Sequence, residues 1–496
     1  STNEPKDVLA FSSNSSYTRK NQFSQGLNLD IAQGKIGSYT SYKYDHSDGW
    51  QNSHLTEDGE DIIETIAPLS LGYSSNNFSQ KFTYDATDQL SFYANGGYYN
   101  RGLERPVERE DITGGSKYNT TYEGYNWGAG AKYKLSKRNV IQFDYSGNNY
   151  ASRYKYLIEN SGYLPGQYAL TKLQKFHDAE LKGIFGFTTN STTVFGVDYR
   201  REVLRRPDSD LDKSVYTTSA YGQHEVKLWN HLTGVVGVRY DHHEQTGGRF
   251  TPKVAAMYNI GNFNVRATYA AGFRAPGIDE LYYHMFKKTM GTRATISLGD
   301  ENLDPERSNY YSINMEYRTN RFSASVTGYL NYVKNMVTSK STKFDDLPEA
   351  EQNQLREEFP EIGDLSSTKN LSVKNYFNFE KATVKGFEVN LNGNLFPGFT
   401  LTGNYTYAYG RGLNEGGEWQ NIERSIRHTA TITGNYTHSW SDYTLNLNLN
   451  GRLQSKVYYP GDADGNAPGY GIWNLNTRHT FDGFRNFVIC LLYTSD

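Results

Sequence analysis

The sequence predicts an all-β fold, a transmembrane antiparallel up-and-down β-barrel. Three observations carry this. The stretch from Asn262 to Val337 alternates apolar and polar residues with a period of two, the mark of a strand with two different faces. The same alternation recurs about twenty times along the chain, between links that are alternately tight and long. The composition is 15% aromatic, with 42 Tyr to 25 Phe and 47 Gly to 13 Pro. That suits strands with one aromatic-rich and one polar face better than a soluble core rich in Leu, Ile and Val.

Length and charge bound the alternatives. The 496 residues would fit two to four soluble domains on length alone. No apolar run reaches the ~18 residues of a membrane-crossing helix, which leaves barrel strands untouched because only half their residues meet lipid. A formal net charge of −3 lacks the basic excess that a nucleic-acid partner requires. The single cysteine, Cys490, excludes a disulfide framework and a cysteine-based zinc site. The polar start at Ser1 is not a signal peptide, so for an exported protein a mature form or a fragment is expected.

In chain order, residues 8–18 rise, 27–32 descend to a turn at Gln33-Gly34-Lys35, and 36–44 rise into an acidic loop. Residues 78–84 fall, Asp88-Gln89 turns, and 90–99 rise to a charged loop at 104–111. Residues 125–135 fall, Lys137-Arg138-Asn139 turns, and 140–150 rise; later turns fall near Asn190, Asn230, Gly261, Asn320, Pro397 and Ser441. In the strand at 443–457, Leu445, Leu447, Leu449, Leu453 and Val457 take one face, while Asn446, Asn448, Asn450, Arg452, Gln454 and Lys456 take the other. An open sheet of about twenty such strands leaves edges and a wide apolar face bare. Closure into a barrel removes the edges and gives the apolar face to lipid. The twentieth strand is expected at 472–480 and a twenty-first from Phe484, whereas residues 490–496 break the alternation and read as a tail foreign to the barrel of residues 1–489.

Two paired motifs stand at the organising loop. Gly272-Phe273-Arg274-Ala275-Pro276 closes one strand, followed by Glu280-Leu281-Tyr282, and Asn302-Leu303-Asp304-Pro305-Glu306-Arg307-Ser308 opens the next. With Gly237-Val238-Arg239-Tyr240-Asp241 and Phe250-Thr251-Pro252-Lys253, they make the chain resemble the TonB-dependent outer-membrane receptors. The resemblance covers essentially the whole chain. It implies a barrel of about 22 strands filled by an N-terminal plug, of which about 20–21 strands are present here. It also implies a place in the outer membrane of a Gram-negative bacterium, among lipid and lipopolysaccharide, and uptake driven by the TonB-ExbB-ExbD complex. The residues in hand contain no plug, TonB-box segment or final hairpin, and are not expected to perform coupled transport by themselves.

Within that family the two motifs with a histidine between them are similar to haem receptors, which makes haem the first expected cargo, then cobalamin, then a ferric siderophore. His284 would then ligate the iron; the other reading is a polar loop residue beside Tyr282, Tyr283 and Met285. Tyr282, Tyr283 and Phe286 are expected as early ligand contacts. Arg274 and Arg307 would clamp carboxylates of the cargo, or else pair with Asp279, Asp304 or Glu306 to order the loop.

Other clusters have two readings each. Glu57, Asp58, Glu60, Asp61 and Glu64 offer hard oxygens suited to calcium, or form a solvated acidic loop. Asp462-Ala463-Asp464-Gly465-Asn466 begins like a calcium loop but lacks its distal Glu. Arg200, Arg201, Arg205 and Arg206 crowd one strand end, as a phosphate grip or a solvated base. His242 and His243 sit at a rim, where neighbours on a strand point to opposite faces. Residues 346–359 read as a short loop helix with Leu347, Leu355 and Phe359 on one side, a lid or a seat for a surface lipoprotein. No catalytic motif is present, so no enzyme is expected, and no resident cofactor is required. A passive porin or adhesin barrel is the reading from a different class.

Overall fold

The structure is a computed structural model of the chain, and it describes residues 8–18, 21–49, 56–57, 60–61, 71–104, 118–160, 162–288, 294–413, 416–422, 424–459, 467–481 and 487–495. Of the 28 strands among them, 21 run in one antiparallel meander from Ala10–Thr18 to Phe487–Ser495, and the remaining seven are short segments in the long loops. Each long strand pairs with its sequence neighbours, for example Ser191–Arg206 with Leu211–Trp229 and that strand with Leu232–His243. Neighbour-to-neighbour pairing satisfies each backbone N–H and C=O inside the wall, which hydrocarbon demands because it offers no water. Among the described residues no ladder joins the first strand to the last.

The tight turns fall where the sequence places them. Gly34, Gly261 and Gly398 each stand in a two-residue link and adopt φ of 60°, 55° and 82°, the left-handed backbone that such hairpins need. The strands themselves run longer than the alternation shows. Gln22–Gln33 and Gly72–Asp85 begin several residues before the expected 27 and 78. The last described strand is Phe487–Ser495, and its expected start at Phe484 lies outside the described residues. Polar upper ends are the reason in the first two: above the lipid nothing demands an apolar face, so the pattern fades while the ladder continues. In the last strand the ladder carries on through Cys490 to Ser495.

The register keeps the two faces apart. Phe195, Val197, Val236, Val238, Ile313, Met315, Val326, Leu449 and Leu475 are all exposed large hydrophobics on one face, the belt that lipid covers. The opposite, inner face carries a ladder of polar bonds. The Tyr93 hydroxyl donates to Asp144 at 2.7 Å and that of Tyr221 to Glu180 at 2.7 Å, Lys182 reaches Glu180 at 2.7 Å, and Arg239 bridges Asp198 and Asp241 at 2.9 and 2.8 Å. Opposite charges on adjacent strands pair here because the inner wall must hold its polar groups without disturbing the belt.

The best-buried core lies outside the barrel wall. Strands Phe322–Lys343 and Leu371–Phe396 have 22 and 26 residues, far more than the ~10 needed to cross the membrane, and they project beyond it. Their tops carry a cap. A hairpin of His284–Lys288 and Ala294–Leu298 joins it, with Ala294–Leu298 lying parallel to the first residues of Leu371–Phe396. Helix Glu349–Glu358, flanked by turns at Phe344–Asp346 and Pro360–Asp364, closes it. Ala294, Ile296, Phe344, Leu355, Phe359, Ile362, Leu371 and Val373 form its buried core, and Phe286 and Leu347 pack against them. The helix falls where it is expected, with Pro348 at its N-cap; its apolar side, Leu355 and Phe359, faces the cap core.

Leu447 stands opposite Tyr436 and Thr477 on the lipid face, and Asn448 points inward opposite Asn435 and Asn476. Leu447→Arg is expected to cost about 2–4 kcal/mol near the midplane and Asn448→Arg less than 1 kcal/mol. Equilibrium unfolding from lipid vesicles checks this, and equal tolerance at the two positions would refute the face assignment.

Candidate functional site

The organising loop leaves strand Phe263–Arg274 and returns in the neighbouring Glu306–Arg318. In their ladder Arg274 faces Glu306. Its guanidinium reaches Glu306 at 2.7 Å and Glu280 at 3.0 Å. Glu280 also accepts the Gly277 N–H at 2.7 Å, capping the single helical turn Ile278–Tyr282, and Glu306 accepts the Val337 N–H at 2.8 Å. One guanidinium thus ties the exit, the first turn and the return of the loop together. Of its two readings, the loop-ordering pairing with Glu306 is the geometry observed.

The return motif works as a second staple. Asp304 donates its N–H to Asn378 at 2.9 Å, while the Asn378 amide donates to the carbonyls of Asp304 and Asn335 at 3.0 and 2.8 Å. Asn335, whose φ is 55°, donates to the Asp304 carboxylate at 3.2 Å. Leu303 is buried with Leu281 and Val337, Pro305 is buried, and Asn302 donates to Asp300 at 2.8 Å. Gly299 sits against the loop backbone so closely that a Cβ would lie 2.6 Å from Leu281 and Tyr282 atoms.

Between the staples the loop crosses the mouth. Ile278 packs with Leu204, Leu211 and Val215 on the inner wall of Ser191–Arg206 and Leu211–Trp229, with two strands intervening. Tyr283 accepts a hydrogen bond from Arg206, whose guanidinium lies 5.1 Å from its ring centre. Tyr282 accepts from Gln245, and the Lys213 ammonium stands 4.6 Å from its ring. Lys374 stands 4.9 Å from the ring of Tyr376, itself 6.4 Å from Tyr283. Burial pushes the phenol pKa of Tyr283 up, against the pull of Arg206, and burial does the same at Tyr282. Both phenols therefore stay neutral at physiological pH. The mouth presents three tyrosine rings, each beside a cation.

The structure divides the other expected residues. His284 lies on the cap hairpin, its ring stacked 4.5 Å from Phe359 and its Nε2 3.4 Å from Glu358, with 55% of the side chain exposed. Phe286, expected as a ligand contact, packs on the cap core instead, because the hairpin turns that face toward Ile296 and Val373. Arg307 departs from the expected clamp: it is one residue past Glu306, so the period of two puts it opposite Phe273 and Lys334 on the outward face. The arginine cluster splits in the same way. Arg200 pairs with Asp178 at 3.1 Å on the inner face, and Arg205 stands on the outer face with Asp212 at 3.8 Å. Of the acidic group, the backbone of Thr56–Glu57 pairs with Glu60–Asp61, while Asp58, Glu64 and residues 462–466 lie outside the described residues.

Sequence reasoning missed Asn378, Asn335, Lys213, Gln245 and Tyr376. Each acts across a sequence gap with no periodic signal. The apolar pairs Ala294/Ile296 and Leu371/Val373, inside otherwise polar loops, were the available hint of a cap.

The family model described as TonB dependent receptor-like, beta-barrel, matches residues 3–491. Among curated proteins the chain is similar to the probable TonB-dependent siderophore receptor PirA of Acinetobacter baumannii, at 20% identity over 82% of this chain and 58% of the relative. It is 24% identical to the ferric enterobactin receptor PirA of Pseudomonas aeruginosa over 49% of this chain and 32% of that protein. It is 21% identical to the vitamin B12 transporter BtuB of Vibrio cholerae over 55% and 41%. The chain thus spans between a third and three fifths of these relatives. In fold it is similar to the crystal structure of a Pseudomonas aeruginosa ferric enterobactin receptor mutant (PfeA) in complex with enterobactin, with a TM-score of 0.70 at 14% identity, covering 97% of this chain and 74% of that one.

Two outcomes follow from the clamp and the cap. Arg274→Ala is expected to lower the opening free energy of the loop by about 1–2 kcal/mol, since it strips two carboxylates of a partly exposed partner; hydrogen exchange of residues 277–283 should quicken by about 5- to 30-fold. Phe344→Ala is expected to cost the cap about 3–5 kcal/mol. Exchange should then quicken at Ala294–Leu298 while the barrel wall stays protected.

Proposed function

The chain belongs to the TonB-dependent receptor β-barrel family, and from that membership we propose that it is the barrel of an outer-membrane receptor for an anionic, aromatic iron chelate of the siderophore class. The observation that carries the reading is the mouth: Tyr282, Tyr283 and Tyr376, each beside Lys213, Arg206 or Lys374. Aromatic faces stack on catecholate-type rings, and cations at their edges balance the negative charge of the chelate. The siderophore receptors among the relatives support this order of cargo over haem.

In this reading the loop held by Arg274 and Asn378 keeps the rings in place, so binding orders little new chain. Inward passage draws on the TonB-ExbB-ExbD complex, acting through a plug. The setting is the outer membrane of a Gram-negative bacterium. Haem is the second reading, favoured by the half-exposed His284 at the edge of the cap. As a ligand its Nε2 would first have to leave Glu358. Cobalamin is the third, on the similarity to the vitamin B12 transporter.

The test is fluorescence titration of the refolded chain with a ferric tris-catecholate, haemin and cyanocobalamin in parallel. Saturable binding of the catecholate is expected, weakened about tenfold by Lys213→Gln and more by Lys213→Gln combined with Tyr283→Ala. Binding of haemin alone, lost in His284→Ala, would move the cargo to haem.

A further inference from the structure

Pairing between neighbouring strands breaks off early at one place beneath the mouth. The ladder between Gly247–Ile260 and Phe263–Arg274 runs from Ile260 opposite Phe263 to Lys253 opposite Ala270 and ends there. Both strands go on. Arg249 to Pro252 stay paired with Asp241 to Val238 on one side, and Ala271 to Arg274 with Asn309 to Glu306 on the other. Continued register would set Pro252 opposite Ala271, Thr251 opposite Gly272, Phe250 opposite Phe273 and Arg249 opposite Arg274. None of these rungs is present among the described residues. Two properties of the residues account for the break. Pro252 has no N–H to give to a ladder, and the last rung would set two guanidiniums face to face, which destabilises a sheet. Arg274 turns to Glu306 and Glu280 instead. The Arg249 Nη1 donates to the Gly248 carbonyl at 3.0 Å, and its Nε is buried with no hydrogen-bond partner.

Height and lining decide what this seam connects. From Ile260 at the turn, Lys253 is about 7 steps and Arg249 about 11 steps of about 3.3 Å up a strand tilted by about 40°, climbs of about 18 and about 28 Å. The apolar belt of such barrels is about 25 Å tall, so the seam spans its outer-leaflet edge. Its outer lips are apolar: Phe250 is 70% exposed with its ring 4.7 Å from that of Tyr240, and Val254 and Phe273 share that face. Its inner lips are polar, with Arg249 and Thr251 on one and Arg274 on the other. Both lips lead into the mouth. Gln245, just above Gly247, donates to the Tyr282 hydroxyl, and Arg274 ends the strand from which the loop with Tyr282 and Tyr283 departs. Unpaired backbone at membrane depth is tolerated only where it lines a polar or water-filled space. A peptide strand would have to shed its water on the lipid side, and a small anion would find nothing to hold on the outer lips. A molecule with one polar, aromatic end and one apolar tail fits both sides.

We infer that this seam is a side passage for an acyl chain, and that the cargo is an amphiphilic chelate. Its head rests among the tyrosine–cation pairs of the mouth, while its tail leaves the lumen between Phe250 and Phe273 for the outer leaflet. This rests on the siderophore reading above and names the class of chelate within it. Arg249 meets the negative edge of the head from below, and the missing rungs leave the room that a closed ladder would fill. The open seam lets the tail stay in lipid throughout binding, so no apolar chain has to enter the aqueous lumen.

The test compares a ferric tris-catecholate with the same chelate carrying a dodecyl chain, both bound to the protein in phosphatidylcholine nanodiscs. The variant Pro252→Cys/Ala271→Cys, in a Cys490→Ser background, closes the seam by a disulfide when oxidised and reopens it when reduced. From the reduced protein the acylated chelate is expected to dissociate about tenfold more slowly than the plain one. Oxidation should erase that difference and leave the plain chelate unchanged. An alkyl diazirine at the end of the dodecyl chain should label Phe250 or Phe273, a readout that decides the matter even where the disulfide does not close. Equal dissociation of the two chelates from the reduced protein overturns the passage, as does an acyl gain that survives the closed disulfide, or label confined to the loops. Displacement of the label by lysophosphatidylcholine also overturns it, since the seam then takes any acyl chain. Plain chelate bound without an acyl gain sinks the passage only; loss of both chelates sinks the siderophore reading together with it.

Discussion

The rest of this molecule depends on the need to satisfy every backbone N–H and C=O where no water is available. Neighbour-to-neighbour antiparallel pairing meets that need, and once it does, each residue's face is decided by its parity. Lipid takes one parity and the inner polar ladder, such as Tyr221 to Glu180 and Arg239 to Asp198, takes the other. A wall of this kind has no interior of its own. Its packed core forms instead where strands overshoot the membrane, in the cap around Ile296, Phe344 and Val373.

That inversion explains the arrangement of the mouth. A loop of about thirty residues between two neighbouring strands would lie loose in solvent without support. Here it is held three ways: by Arg274 at its exit, by Asn378 and Leu303 at its return, and by Ile278 against the far wall. The hairpin between these supports then joins the cap through parallel pairing with Leu371–Phe396. Rigid support puts Tyr282 and Tyr283 beside Arg206 and Lys213, a geometry that the loop sequence alone does not specify. The motif residues that mark the family in this chain, Arg274 and Asn302 to Glu306, are therefore mostly the staples, with the tyrosine–cation pairs of the mouth beside them.

Parity also separates functions within single motifs. Glu306 and Arg307 are consecutive, yet one belongs to the loop clamp and the other to the outward face of the wall. The arginines at the end of Ser191–Arg206 divide likewise, Arg200 to Asp178 inside and Arg205 to Asp212 outside. A cluster in sequence is, on a strand, two half-clusters on opposite faces of the wall.

By itself the sequence determined the strand order, the tight turns at Gly34, Gly261 and Gly398, and the lipid face of strands such as Tyr443–Gln454. Period-two alternation is a local signal that lipid imposes residue by residue, so it can be read without knowing any partner. The family followed from the paired motifs, and even the helix at Glu349–Glu358 was visible in its apolar side. Only the tertiary structure decided that this helix and the hairpin of Ala294–Leu298 share one core, that Phe286 serves that core, and that Arg307 points outward while Arg274 points into the mouth. These outcomes join residues up to about a hundred positions apart through loops that carry no period, so their energies exist only once the barrel has brought the strand tops together.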